Sequence, residues 1–175
     1  MKAVILLLIL LANLSSPAFA KKAIDFQFTD VSGSALQLID YRGKWVLVNF
    51  WAPWCPLSWK ETPLLNALNK RDNFVVLSVS LDYGPDASVV PVYAKAHDFH
   101  LSAIIAGGSR SDPNSAFRQV GPVDFYPTSY LFDPTGEIAM FIPGTLNKDK
   151  MLAFMLRWDL ARLSGKKIAQ SASAQ

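Results

Sequence analysis

Apolar residues along the first half of the chain fall into runs that match β-strands of two kinds. Trp45–Trp51 and Phe74–Ser80 are nearly continuous in apolar and β-favouring residues, as is typical of central strands covered on both faces. Ile24–Phe28 alternates between apolar and polar residues, which predicts a half-buried strand. After a turn, Leu36 and Leu38 begin a short second strand. This half of the chain therefore predicts a sheet with a buried centre.

The second half of the chain adds a short strand and a hairpin. Ser102–Ala106 is a brief apolar run that predicts a short strand. Ser129–Phe132 and Glu137–Ile142 are apolar runs joined by a turn that contains Pro134 and Gly136. Two such runs around a proline- and glycine-bearing turn predict an antiparallel hairpin.

Four segments carry helix signals. Pro56 suits the first turn of a helix, where its missing N–H is harmless, and Pro63 should bend the same helix further along. We expect a second helix over about Ala87–Ala96 and a short third one with Asp112 as its cap. The last helix starts near Asn147 and is amphipathic. Its apolar face carries Met151, Phe154, Met155 and Trp158.

The N-terminus has the pattern of a secretory signal peptide. Lys2 precedes an apolar run over Ala3–Ala12, and a small-x-small ending predicts cleavage after Ala20. The apolar run is about half of the roughly 20 residues that cross a bilayer. The alternative is an uncleaved anchor, which two following lysines favour because positive charge there opposes export. We expect residues 1–20 to be removed from a periplasmic or otherwise extracytoplasmic protein.

The charge and length of the remaining chain fit one ordinary domain. Removing residues 1–20 removes one lysine and no acid, which lowers the formal net charge from +3 to +2. Basic residues are scattered, apart from a lysine pair near the tail, so the sequence lacks a nucleic-acid signature. We predict a single domain over residues 21–164 and a small, polar, disordered tail over residues 165–175.

Cys55 is the single cysteine of the chain. The segment Trp51–Ser58 around it indicates the end of a strand, a tight turn and the start of a helix. Backbone N–H groups and the helix dipole at such a position favour thiolate over thiol. Ser58 stands three residues later, where a dithiol motif would carry its second cysteine. A lone cysteine in an exported protein suggests a reactive group or an intermolecular partner, and the alternative is an inert, packed thiol.

The segment Tyr41–Cys55 closely resembles the strand and active-site entry of the extracytoplasmic TlpA/ResA-like thiol–disulfide oxidoreductases. Glu61 and Pro63 occupy the positions of an acidic residue and a proline in that family's helix. Tyr126–Thr128 is similar to the family's cis-proline segment, which lies against the active cysteine. The resemblance spans about Ile24–Leu163. It implies an α/β fold of the thioredoxin-like type, a three-layer sandwich with a central mixed β-sheet flanked by helices.

The resemblance implies four catalytic candidates. Cys55 matches the cysteine that attacks a disulfide, and nothing matches the second, resolving cysteine. Ser58 could donate a hydrogen bond to the Cys55 sulfur, or it is a capping-type hydroxyl left by the loss of a cysteine. Glu61 would be partly buried and move protons, or it is an ordinary surface glutamate. Pro127 in the cis form would present the Tyr126 backbone to a partner strand, or it is a strand-start proline.

Substrate-binding candidates surround the same motif: Trp54, Pro56, Tyr126 and Thr128. Exposed aromatic side chains are common interface anchors, so Trp54 could form an apolar rim for a partner, with core packing as the alternative. Trp51 is expected in the core. His97 and His100 make a poor metal site, because no cysteine or carboxylate cluster accompanies them. We predict no bound metal and no cofactor.

The sequence leaves three functions open. In the first, Cys55 forms mixed disulfides with disulfide-bearing or thiol-bearing proteins or with glutathione, and an external thiol releases them. In the second, the fold is a redox-inactive module that docks a partner protein. The third, a one-cysteine peroxidase, ranks lowest because the threonine expected three residues earlier is Ala52. We favour the first, expect no nucleic-acid partner, and expect membrane contact only if the N-terminal segment stays uncleaved.

Overall fold

The computed structural model of the protein describes residues 25–165. The predicted signal peptide over residues 1–20 lies outside this range, as does the predicted tail beyond Gly165. The described chain forms seven β-strands: β1 (Gln27–Thr29), β2 (Ala35–Gln37), β3 (Trp45–Trp51), β4 (Phe74–Ser80), β5 (Ala103–Ala106), β6 (Thr128–Phe132) and β7 (Ile138–Pro143). It also forms four α-helices: α1 (Pro56–Lys60), α2 (Thr62–Asn69), α3 (Val89–Ala96) and α4 (Lys148–Leu163). None of these described helices has the length and apolar character needed to cross a bilayer.

The strand β3 lies at the centre of a five-stranded mixed sheet with the order β5-β4-β3-β6-β7. It runs parallel to β4, and β4 runs parallel to β5. β6 is antiparallel to both of its neighbours, β3 and β7. β1 and β2 form a separate antiparallel pair. Every residue of β3 and β4 is buried, as predicted for strands covered on both faces.

Two hydrophobic cores cover the two faces of the main sheet. One core joins the sheet to α2, α3 and α4 through residues that include Leu65, Val90 and Met151. The other joins it to β1 through Phe28 and to a 3₁₀ turn over Ala116–Gln119. Three layers result. The predicted thioredoxin-like α/β sandwich, with a mixed sheet flanked by helices, is therefore confirmed.

The structure corrects two predictions about helices. The helix expected to bend near Pro63 is instead interrupted, and α1 and α2 lie on either side of Glu61, because proline has no N–H to continue the helical ladder. The short helix expected from Asp112 through Ala116, Phe117 and Val120 forms only in part. The Asp112 carboxylate accepts a hydrogen bond from the backbone N of Asn114 at 2.9 Å, and such local bonds compete with helix formation. A 3₁₀ turn over Ala116–Gln119 is all that follows.

The second strand is also shorter than the sequence predicts. β2 ends at Gln37, and Leu38 begins a 3₁₀ turn over Leu38–Tyr41 instead of continuing the strand. The Leu38 side chain is buried in the core beside β1. The local strand pattern therefore did not fix where β2 ends.

Candidate functional site

Cys55 lies at the junction that the sequence predicts, between the end of β3 and the start of α1. Its backbone N donates to the Ala52 carbonyl at 3.0 Å, which closes the turn after the strand. Cys55 is the N-cap of α1, and Pro56 occupies the first turn. The backbone N of Ser58 donates to the Cys55 carbonyl at 3.1 Å. The thiol therefore stands at a helix start, at the edge of the sheet where the parallel strands end.

The Cys55 sulfur faces the loop before β6. Its Sγ lies 3.6 Å from the Tyr126 carbonyl oxygen, within reach of a thiol hydrogen bond. The Tyr126–Pro127 peptide bond is cis, as the resemblance implied. Cys55 keeps 7% of its surface exposed. The residue is therefore buried, with a small part of its surface still in contact with solvent.

Ser58 is buried and its hydroxyl has no partner. The side chain is 1% exposed, and Oγ makes no hydrogen bond within residues 25–165. Neither the hydrogen bond to the Cys55 sulfur that Ser58 could donate nor a capping bond from its hydroxyl occurs within residues 25–165. A buried, unsatisfied hydroxyl costs about 1–3 kcal/mol. The position is therefore better suited to a weakly polar side chain than to serine.

Glu61 is buried in the break between α1 and α2, which rules out an ordinary surface glutamate. Its carboxylate accepts a hydrogen bond from the Leu146 backbone N and another from Asn49 Nδ2 at 3.3 Å. Asn49 Nδ2 also donates to Ser129 Oγ at 3.0 Å. Burial raises the pKa of Glu61 to about 7, although both hydrogen bonds act in the opposite direction. This carboxyl group can therefore exchange a proton near neutral pH.

Trp54 and Tyr126 form two aromatic walls beside Cys55. Trp54 is 57% exposed, which supports the rim position and argues against core packing. Its ring meets the edge of the Tyr126 ring, with centroids 5.4 Å apart. Both side chains bond to Asp82: Trp54 Nε1 donates to its carbonyl at 3.2 Å, and the Tyr126 hydroxyl donates to its carboxylate at 2.8 Å.

Asp82 and Arg110 belong to this site, and sequence reasoning missed both. Arg110 Nε donates to the Asp82 carboxylate at 2.7 Å, and the Arg110 guanidinium lies 4.4 Å from the centroid of the Tyr126 ring. Asp82 closely follows β4, and the last residues of β3 and β4, Trp51 and Ser80, pair in register. Chain ends of adjacent parallel strands meet at one edge. The sequence signal that could have identified Asp82 was a polar residue shortly after the second buried strand, β4.

The Asp82 carboxylate is held in its charged form. Burial would raise its pKa, but hydrogen bonds from Arg110, Tyr126 and Ser109 outweigh that effect and lower it to about 2. The pKa of the Tyr126 hydroxyl is raised, by burial and by its bond to the Asp82 carboxylate. The aromatic wall is therefore anchored to a charged pair over the whole neutral range.

The remaining predicted residues divide between the surface and the interior. Pro56 is exposed at the start of α1. Thr128 is buried, and its Oγ1 donates to the Phe125 carbonyl at 2.8 Å. The hydroxyl therefore supports the loop before β6, and the role of Thr128 in binding substrate stays a prediction. Trp51 is fully buried and stacks on Phe99, as expected for a core residue.

The two histidines have separate neighbours. His97 stacks on the Trp59 ring with centroids 4.0 Å apart. His100 Nε2 lies 2.8 Å from an Asp98 carboxylate oxygen. Among residues 25–165, no three His, Cys, Asp or Glu side chains come together in a way that could hold a metal ion.

The fold and the site together define a thioredoxin-like protein that carries Cys-x-x-Ser at the start of its helix. The sequence pattern of the AhpC/TSA family matches residues 19–141, most of the chain. The protein belongs to this family of thioredoxin-like proteins.

Several relatives are similar over most of their length. Thiol-disulfide oxidoreductase ResA of Geobacillus kaustophilus is 33% identical over 135 residues, which cover 75% of this chain and 73% of that protein. Thioredoxin-like protein YneN of Bacillus subtilis is 32% identical over 135 residues, 75% of each chain. The exposed lipoprotein thioredoxin Etrx1 of Streptococcus pneumoniae has a TM-score of 0.63 at 28% identity and covers 76% of this chain and 98% of that chain. The predicted resemblance to ResA-like oxidoreductases is confirmed.

Proposed function

We propose that the protein is an exported monothiol thioredoxin-like oxidoreductase in which Cys55 forms mixed disulfides with partner proteins or with small thiols. One observation carries this proposal. The only thiol of the chain stands at the start of α1 against the Tyr126 carbonyl, and Ser58 stands where a second cysteine would be. The names of relatives such as ResA supply the activity class, and the missing sulfur supplies the monothiol mechanism.

The exchange balances with a single protein sulfur. The Cys55 thiolate attacks one sulfur of a disulfide, the S–S bond breaks, and a new Cys55–S–S bond forms as the partner's other sulfur leaves as thiolate. An external thiolate then attacks this mixed disulfide and releases Cys55 as thiolate. The external thiol and the captured group leave as a disulfide. No net oxidation of the protein occurs, so no second cysteine in the chain is required.

Glu61 is proposed to move protons in this cycle. It lies behind the Cys-x-x-Ser turn, and its backbone N donates to the Ser58 carbonyl at 3.3 Å. Its carboxyl has a pKa raised to about 7 by burial. A group with such a pKa holds a proton part of the time at neutral pH, which suits the alternation of thiol and thiolate during exchange.

An apolar rim around Cys55 is proposed to receive the partner. Trp54, Leu57 and Phe125 are large hydrophobic residues with about half or more of their surface exposed. Pro56 is exposed beside them, and the Tyr126 backbone faces the sulfur. Contiguous exposed apolar groups mark protein interaction sites. This rim suits an extended protein segment that carries a disulfide, with the Tyr126–Pro127 backbone available to its main chain.

Small thiols such as glutathione are proposed as the recycling partner. A cavity of about 550 Å³ adjoins the site, and its lining includes Asp82, Arg110, Arg118 and Asp124. The positive charge of Arg118 can attract a carboxylate, and glutathione carries two carboxylates, whereas Arg110 is already bonded to Asp82. We also propose that the protein is exported after cleavage near Ala20. Export is consistent with the description of one similar protein as an exposed lipoprotein.

The test is covalent capture of partners by Cys55. Protein isolated from its native compartment under non-reducing conditions should carry mixed disulfides that reductant releases, and Cys55→Ser should carry none. Purified protein incubated with oxidised glutathione should gain one glutathionyl group per chain. A Cys55 that stays unmodified in both experiments contradicts the proposal.

A second candidate is a binding module without redox turnover. The observation that favours it is the contrast between the 7% exposure of Cys55 and the 57% and 63% exposure of Trp54 and Phe125. In that case Cys55→Ala would keep full function, whereas Trp54→Ala would abolish it. A peroxidase role is not proposed, because Ala52 offers no hydroxyl three residues before the cysteine.

A further inference from the structure

Asp82 gathers an unusual number of hydrogen bonds for a residue outside the Cys-x-x-Ser motif. Its carboxylate accepts bonds from the Arg110 backbone N at 2.8 Å, Arg110 Nε at 2.7 Å, Ser109 Oγ at 2.9 Å and the Tyr126 hydroxyl at 2.8 Å. Its carbonyl accepts a further bond from Trp54 Nε1 at 3.2 Å. One residue thus ties together two aromatic side chains beside Cys55 and the loop after β5.

The Asp82 backbone is held in a conformation that costs energy. Its φ is +51°, in the left-handed region that a residue with a Cβ rarely adopts. Its backbone N donates to the Gly108 carbonyl at 3.0 Å. Strained residues of this kind persist where the surrounding contacts determine them, and they cluster at functional sites. At Asp82 this φ coincides with the carboxylate contacts described above.

We propose that Asp82 is a positioning residue for the chemistry of Cys55, acting through Tyr126 and Trp54. The Tyr126 carbonyl lies against the Cys55 sulfur, and the other end of the same residue is fixed by its hydroxyl on Asp82. Trp54, the neighbour of Cys55 in the chain, is fixed by its indole N–H. Arg110 balances the Asp82 charge, so that the carboxylate does not oppose a thiolate nearby. The inference rests on the proposed function for its biological meaning.

Two variants separate positioning from a purely structural role. Asp82→Ala removes the carboxylate and its bonds to Tyr126, Ser109 and Arg110 but keeps the carbonyl that accepts from Trp54, and Tyr126→Phe removes one hydroxyl while it keeps the ring and every charge. Cys55 is buried, with 7% of the residue exposed, so loosening the walls should let a small reagent reach its sulfur more easily and alkylation by iodoacetamide should become several-fold faster. Exchange with an extended peptide disulfide needs ordered walls and should slow by roughly tenfold or more. A merely less stable protein would not move these two rates in opposite directions.

The double variant Asp82→Ala with Tyr126→Phe tests whether Asp82 acts on Cys55 through Tyr126. If Asp82 acts through Tyr126, Asp82→Ala should change the alkylation rate much less in the Tyr126→Phe background than in the wild type. Asp98→Ala is the matched control, because Asp98 has a similar φ of +59° but pairs with His100, away from Cys55. It should leave both rates unchanged. Alkylation is read on folded protein, confirmed by circular dichroism.

Different results would contradict the positioning role of Asp82 and the proposed function of Cys55. Fully additive effects of Asp82→Ala and Tyr126→Phe, or alkylation rates within twofold of wild type in both variants, would overturn the positioning role. A wild-type protein that never exchanges with peptide disulfides or oxidised glutathione would overturn the proposed function alone. The alkylation coupling would still decide the role of Asp82, since it requires only the thiol.

Discussion

Ser58 marks the residue at which the chain departs from a dithiol site while the surrounding geometry is kept. Its hydroxyl is buried without a partner in the described part of the chain, and its backbone bonds to Cys55 as the first turn of α1 requires. A side chain with less need of hydrogen bonds would fit the same space at lower cost. Two predictions follow from this mismatch.

Ser58→Ala should stabilise the protein by about 1 kcal/mol, because it removes a buried hydroxyl that has no partner in the described structure. Ser129→Ala is the matched control: Ser129 is also buried, but its Oγ accepts a bond from Asn49. That control should be destabilising. Urea unfolding at one pH measures both changes. A Ser58→Ala variant that is less stable than wild type would show that the hydroxyl has a partner.

Ser58→Cys should confer reduction of protein disulfides at the expense of dithiothreitol, measured by insulin turbidity. The new sulfur would stand one helical turn from Cys55, where it can attack the mixed disulfide. The double variant Cys55→Ser with Ser58→Cys keeps one thiol and should be inactive in this assay. No gain of activity in Ser58→Cys would mean that more than the second sulfur has been lost from the site.

At the scale of elements, the site depends on contacts between helices and sheet that lie away from Cys55. α4 covers one face of the sheet, where the Trp45 ring meets Trp158 and Phe154 edge-on at 5.1 and 6.3 Å. Just before this helix, Leu146 donates its backbone N–H to Glu61. The packing of α4 therefore supports the loop that holds the buried carboxyl in place.

Trp158→Ala should cost about 2 kcal/mol of unfolding free energy, since it removes a partly buried aromatic ring and its edge-on pair with Trp45. Leu160→Ala on the same helix is the control, because that side chain is largely exposed and should change stability by less than about 0.5 kcal/mol. Chemical denaturation compares the two. Equal effects would show that the α4 packing contributes little.

Strands with uniformly apolar patterns were predictable from the sequence, whereas the site was predictable only in part. β3 and β4 follow from continuous apolar runs, since burial on both faces leaves no room for polar residues. The position of Cys55 follows from the strand–turn–helix signal around Pro56. The roles of Asp82 and Arg110 could not be derived in this way, because their bond joins residues 28 positions apart and depends on how two loops meet. After Asp112 the sequence predicted a longer helix than the 3₁₀ turn over Ala116–Gln119 that forms.

Across the whole molecule, two carboxyl groups with opposite pKa shifts shape stability against pH. Asp82 has a folded-state pKa lowered to about 2, so its contribution is present above its ordinary value and is lost as the pH falls through about 2. Glu61 has a folded-state pKa raised from 4.5 to about 7. Its contribution is complete below its ordinary value and is lost as the pH rises through about 7. These two groups alone place the greatest stability near pH 4 to 5.

Glu61→Gln should remove the alkaline part of this dependence. The wild type should lose about 3 kcal/mol between pH 5 and pH 9, because the pKa of Glu61 is raised from 4.5 to about 7 in the folded state, and the variant should change little over that range. Glu137→Gln, at an exposed position, should behave like the wild type. Urea denaturation across the pH series measures this. An unchanged slope in Glu61→Gln would assign the dependence to another group.

Because Cys55 is the single cysteine of the chain, folding of the protein does not depend on the redox state of its surroundings. With one cysteine in the chain, no cross-link can form within the molecule, and oxidant is not needed to reach the native structure. Adding or withdrawing dithiothreitol therefore leaves the melting temperature of the unconjugated monomer where it was. Its stability comes from packing, hydrogen bonds and charge interactions, and changes in the ambient redox potential alter only what is attached to Cys55.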